Sequence, residues 1–89
     1  MAKTYKLVLS KNFYKDAEKL PKGAKARMLK ALGSLEKNPY SGKDLKKLTN
    51  VKAGQWRLRI GDYRLRYDIE GQEVWLLSVR HRKDAYRKK

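Results

Sequence analysis

Two short stretches constrain this chain more than anything else in it. Trp56-Arg57-Leu58-Arg59-Ile60 and Tyr63-Arg64-Leu65-Arg66-Tyr67 alternate strictly between large apolar residues and arginine. A side-chain period of two belongs to β-strands, so each stretch turns its apolar residues to one face and its arginines to the other. Between them lies Gly61-Asp62, a two-residue connection with glycine first that suits a primed hairpin turn. Such a loop sets Arg59 opposite Arg64 and Arg57 opposite Arg66. Like charges placed directly across a ladder cost from a few tenths to about 1 kcal/mol, so folding gains nothing from the arrangement. A plain solvated face would usually mix signs across the hairpin, yet Asp68 and Glu70 come only at the far end of the second strand. The pattern points to a platform for phosphates.

The remaining elements are built to cover the apolar side of that hairpin. Tyr5 to Leu9 reads as a short first strand. Ser10 stands where a helix N-cap belongs, ahead of Phe13, Ala17 and Leu20 at helical spacing, and Pro21 closes that helix. Ala24, Met28, Ala31, Leu32 and Leu35 form one stripe of a second helix over residues 22–37, which Asn38-Pro39 ends. The short link 20–23 predicts that the two helices lie antiparallel. Gly33, inside the second helix, suggests either a close backbone approach or simple tolerance of a glycine there. Leu45 and Leu48 are expected to anchor a helical turn or loop. A last strand over 74–80 follows the two-residue turn Gly71-Gln72, and Val74-Trp75-Leu76-Leu77, apolar on both faces, reads as a central strand. The basic tail from Arg82 is expected to hold at most one helical turn. The fold class is therefore α+β: an N-terminal strand, a helical hairpin, then a three-stranded antiparallel meander in β-α-α-β-β-β order.

Charge narrows the partners. The 89 residues carry 24 Lys plus Arg against 9 Asp plus Glu, a net charge of +15. So large a surplus opposes compaction by self-repulsion and implies a polyanionic partner. Every arginine except Arg27 lies in the second half of the chain, and arginine's planar fork grips phosphate at two points where lysine offers one. There is no cysteine and only one histidine, which excludes disulfides and thiolate metal sites; no metal and no cofactor are expected. The longest apolar run, Val74 to Leu77, is far short of the roughly 20 residues that cross a bilayer. Met1 to Tyr5 lacks the apolar core of a signal peptide. A cytoplasmic protein with no membrane partner is expected.

The arginine hairpin together with Ser78-Val79-Arg80-His81-Arg82-Lys83-Asp84-Ala85-Tyr86-Arg87 resembles the RelE branch of the RelE/ParE toxin superfamily. The element order fits that family over essentially the whole chain, so the resemblance implies a single domain over residues 1–89. It further implies the toxin of a type II toxin–antitoxin system. Such a toxin is a ribosome-dependent endoribonuclease that cleaves messenger RNA in the decoding site and is neutralised by a cognate, acidic antitoxin. Relatives of this kind use a basic strand pair, an arginine on the next strand, an arginine after the last strand and a C-terminal tyrosine. Here those positions are Arg57 and Arg59, Arg64, Arg82 and Tyr86. Arg66, Lys83 and Arg87 complete the expected RNA-binding set.

Cleavage of RNA by its own 2′-hydroxyl needs removal of that proton, stabilisation of charge on a phosphorane-like transition state, and protonation of the departing 5′-oxygen. Guanidinium groups stay protonated and can supply only the second of these. Arg64 and Arg82 are assigned to the scissile phosphate, with Arg57 and Arg59 on its neighbours. Histidine is the side chain that ordinarily titrates near neutrality, so His81 is the first candidate for the base. Tyr86 is expected to stack on a base, orient the hydroxyl or carry a proton. Trp56, Trp75, Leu58, Leu65, Tyr67 and Leu76 are assigned to the core or to an antitoxin groove. Two rivals remain: a ParE-like inhibitor of DNA gyrase without nuclease chemistry, and a small ribosomal or nucleic-acid-binding protein that binds without cutting.

Overall fold

The computed structural model describes residues 4–40 and 42–85. In chain order they form β1 (Lys6–Leu9), α1 (Lys11–Glu18), α2 (Lys22–Lys37), β2 (Leu45–Lys47), β3 (Trp56–Ile60), β4 (Tyr63–Glu70), β5 (Glu73–His81) and α3 (Arg82–Ala85). The strands make one sheet in the order β1-β5-β4-β3-β2. β1 runs parallel to β5, and the other neighbours are antiparallel. β5 is thus interior to the sheet, as its doubly apolar sequence demands.

Both long helices lie over the apolar face of the sheet. Phe13 and Leu20 from the first helical segment and Met28, Leu32 and Leu35 from α2 are buried with Leu58, Ile60, Leu65, Tyr67, Val74, Leu76 and Val79. Ser10 caps α1 by accepting the Phe13 N–H at 3.1 Å, and its hydroxyl donates to the Leu77 carbonyl at 3.1 Å. α2 ends where Asn38 turns extended (φ −156°), the conformation a residue before proline favours. The fully buried Tyr67 then pins this corner by donating to the Pro39 carbonyl at 2.8 Å. Burial holds its phenol well above the ordinary tyrosine range.

One expectation is corrected and one open reading is decided. The segment around Leu45 is a short strand rather than a helical turn or loop: Leu45, Lys46 and Lys47 pair with Leu58, Arg57 and Trp56. Nothing in Leu-Lys-Lys favours a strand locally; the free edge of β3 supplies the partner. Gly33 is simply tolerated in α2, since a Cβ built there meets nothing within 4 Å.

The edge of β5 explains why α1 sits where it does. β1 pairs only with Glu73 to Leu76, leaving the rest of β5 with an open edge, a site for unwanted pairing. α1 closes it. The Ser10 N–H donates to the Leu76 carbonyl at 3.1 Å, and Asp16 accepts the Val79 N–H at 3.2 Å. Opposite this stretch the β4–β5 register slips: Tyr67 faces Leu76, but Arg66 faces Ser78, so β5 carries one extra residue. Such a bulge reverses which residues face the core. Val74 and Leu76 are buried before it and Val79 after it, which plain alternation would not allow.

Two substitutions should move stability in opposite directions, read as midpoints of urea unfolding. Ser10→Ala loses the cap and a bond to the bulge and is expected to cost about 1–2 kcal/mol. Gly33→Ala enters open space in a helix interior and is expected to gain about 0.4–1 kcal/mol.

Candidate nucleic-acid interface

On the face away from the helices the register collects the arginines into rows. Arg59 faces Arg64, and Arg64 in turn faces Arg80, so three guanidinium side chains cross β3, β4 and β5 side by side. The adjacent row runs Lys46, Arg57, Arg66, Ser78. The hairpin pairing expected from the two-residue turn is the one observed, and Gly61 takes the positive φ (+59°) that such a turn requires at its first position. Arg80 and Lys46 join the face through strands whose register the hairpin alone does not determine.

These basic groups are not equivalent. Arg59 is exposed, whereas Arg64 is 7% exposed and its Nη1 donates to the Tyr63 carbonyl at 3.3 Å. The Nε of Arg57 is shielded from solvent and meets no protein acceptor, a state that costs free energy until an acceptor arrives. Arg80 lies 3.6 Å from Asp16 and its side chain is 54% exposed, so that pair is screened and weak. Arg66 has a different task. Its Nε donates to the Gly54 carbonyl at 2.6 Å and its Nη2 to the Ala53 carbonyl at 3.3 Å. Beside it, Asp68 accepts the N–H groups of Gly54 and Gln55 at 2.9 and 2.8 Å. Together they clamp the loop that feeds β3. Gly54, at φ +67°, leaves room for this: a Cβ there would lie 3.1 Å from the Arg66 Nε.

The end of β5 departs from the expected site. The bulge puts Arg80 among the arginines and sends His81 to the opposite side of the sheet, facing Tyr63, with ring centroids 5.3 Å apart in an edge-on contact. The His81 Nδ1 accepts the Lys83 N–H at 3.2 Å, so a neutral ring carries its proton on Nε2. The structure therefore does not bring the His81 ring into the arginine rows. Arg82 begins α3 close to the hairpin, its N–H donating to the Asp62 carbonyl at 2.7 Å, and both Arg82 and Lys83 are exposed. Arg27 of α2 also reaches the hairpin turn, its guanidinium lying against Gly61. Tyr86 and Arg87 lie outside the described residues.

The apolar set divides between the core and the surface. Leu58, Leu65, Tyr67 and Leu76 are buried, and Trp56 packs against them, stacked on Tyr67. Trp75 instead faces away from the core, opposite Asp68 and Val8, on the arginine side. Among the described residues no helix is long and apolar enough to cross a membrane.

Known proteins share this fold. Residues 7–86 match the family described as ParE toxin of type II toxin-antitoxin system, parDE. The archaeal RelE–RelB complex from Pyrococcus horikoshii contains a chain of 28% identity with a TM-score of 0.76, covering 89% of this chain and 96% of that one. The RelBE2 toxin–antitoxin complex from Mycobacterium tuberculosis gives 31% identity and a TM-score of 0.75, over 88% of this chain and 98% of that one. A RelE mutant of E. coli in the free state shares the fold at 22% identity, TM-score 0.72, over 92% and 87% of the two chains. No curated protein sequence matches significantly.

The division of labour among the arginines is open to test by thermal unfolding. Arg66→Gln leaves loop carbonyls unpaired and is expected to destabilise by about 1–3 kcal/mol. Arg59→Gln, at an exposed position, should change stability by no more than about 0.5 kcal/mol.

Proposed function

Because the chain belongs to the RelE/ParE superfamily of toxins of type II toxin–antitoxin systems, we propose that its arginine face holds messenger RNA and that the protein is a metal-independent, ribosome-dependent endoribonuclease. The observation that carries this reading is the row Arg59, Arg64, Arg80. Mutual repulsion makes that row unfavourable for the fold alone, and a line of phosphates relieves it. The unmet Arg57 Nε adds a buried donor for the same anion.

In this scheme Arg64 and Arg82 stabilise the charge that develops on the scissile phosphate, and Arg57 and Arg59 hold the flanking phosphates. Proton transfer falls to His81 and Tyr86. For His81 to take the 2′-hydroxyl proton, its imidazole must leave the Lys83 N–H and turn past the end of β5. Lys83 and Arg87 extend the contact along the message. A cognate acidic antitoxin neutralises the protein, as the toxin–antitoxin complexes similar to this chain suggest; its negative charge suits the same basic face. The family description itself supports a second reading, a ParE-like gyrase inhibitor that uses the face for binding alone.

Purified protein mixed with programmed ribosomes is expected to cut the message and leave a 2′,3′-cyclic phosphate. Intact message with stalled gyrase selects the second reading. His81→Ala and Tyr86→Phe are each expected to lower the single-turnover rate by about 10²–10⁴ with binding nearly intact. An unchanged rate for His81→Ala assigns that ring to its packing against Tyr63. Four arginine contacts to single-stranded RNA, each contributing about −0.7 to the salt slope, should weaken binding roughly 50-fold between 50 and 200 mM salt.

A further inference from the structure

Among the described residues Trp75 is the one large aromatic side chain that the sheet turns toward the arginines, and it is 39% exposed on a face that is mostly charged. Its Nε1 donates to the Glu73 carboxylate at 3.2 Å, which fixes the indole on the surface of β5. Along the sheet it sits one step beyond the row of Arg66 and Ser78. Asp68, opposite Trp75, is two residues from Arg66 and four from Arg64, or about 7 and 13 Å at the rise of a strand. From Trp75 onward acidic groups outnumber basic ones: Asp68 lies opposite it, and Glu70 and Glu73 follow, with Lys6 of β1 beside Glu73. A line of phosphates can follow the basic rows up to this boundary and no further. A base, which is uncharged and offers a π-face, can cross it.

We propose that Trp75 is a stacking platform for a base of the single-stranded RNA whose phosphates lie on the arginine rows, and that it marks the end of the RNA path across the sheet. The proposal rests on the nuclease reading and adds to it a positioning residue with a defined place. Stacking on an aromatic side chain is worth enough to matter, is tolerant of sequence, and carries no charge. Its signature therefore differs from that of the arginines: loss of Trp75 weakens binding without changing the salt dependence, while loss of an arginine lowers the salt slope by about 0.7.

The test uses the full chain and a short 2′-O-methyl single-stranded RNA, which cannot be cleaved through its own 2′-oxygen. Trp75→Leu keeps an apolar side chain without a π-face and is expected to weaken binding roughly 5- to 100-fold at unchanged salt slope, while Trp75→Phe retains most of the affinity. In a Trp56→Phe background the remaining indole is Trp75, and its fluorescence should be quenched as RNA is added. Wild-type affinity in Trp75→Leu, or no quenching, overturns the stacking role and leaves the nuclease reading standing. Weakened binding of an acidic antitoxin with RNA affinity unaltered would assign Trp75 to the protein partner instead, which also overturns it. A wild-type protein that binds no RNA at low salt also overturns the stacking role, whereas the nuclease reading falls only if the message on programmed ribosomes stays intact.

Discussion

One extra residue in β5 decides the character of both faces of this sheet. Ahead of the bulge, Val74 and Leu76 point into the core; behind it, Val79 does. Had the strand alternated without interruption, Val79 would have faced Arg64 among the charges and Arg80 would have been driven toward the helices. Burying a guanidinium without partners costs several kcal/mol, so the bulge is what lets a strand ending in Val-Arg-His complete an apolar face on one side and a three-arginine row on the other. The hydroxyl of Ser10 donates to the bulge, through the Leu77 carbonyl, and Asp16 takes the Val79 N–H just beyond it. The N-cap of α1 and the register of β5 thus stabilise each other.

The basic face that results is divided into groups that hold the protein together and groups that bind no loop. Arg66 and Asp68 spend their hydrogen bonds on the backbone of residues 53–55, fixing the loop that sets the start of β3. Arg59 and Arg80 are exposed, and Arg57 keeps a buried N–H with no protein acceptor. Counting arginines on a strand does not separate these roles. Only the position of the loop carbonyls does, and these belong to a segment distant in sequence.

Much of the fold could be read directly. The bounds of α2, β3 and β4, the Ser10 cap and the pairing of Arg57 with Arg66 and Arg59 with Arg64 follow from local periodicity and turn chemistry, because each is governed by neighbours a few residues away. β2 was not legible, since Leu-Lys-Lys becomes a strand only by meeting the free edge of β3. The side of the sheet on which His81 falls was not legible for a related reason. From the Gly71-Gln72 turn, uninterrupted pairing would carry His81 to the arginine side. The break in spacing from Val74 and Leu76 to Val79 was the available signal that the register slips.

Sequence alone therefore determined that this chain makes an arginine-lined hairpin backed by two amphipathic helices, and that its charge calls for a polyanion. Alternation, capping and turn residues act over short distances, and the chain spells them out. Tertiary structure decided which residues share the arginine face: Arg80, Lys46 and Trp75 lie on it and the His81 ring lies on the other side. Those placements depend on strand register and on one bulge, and a single-residue slip in a period-two element moves every later side chain to the opposite face.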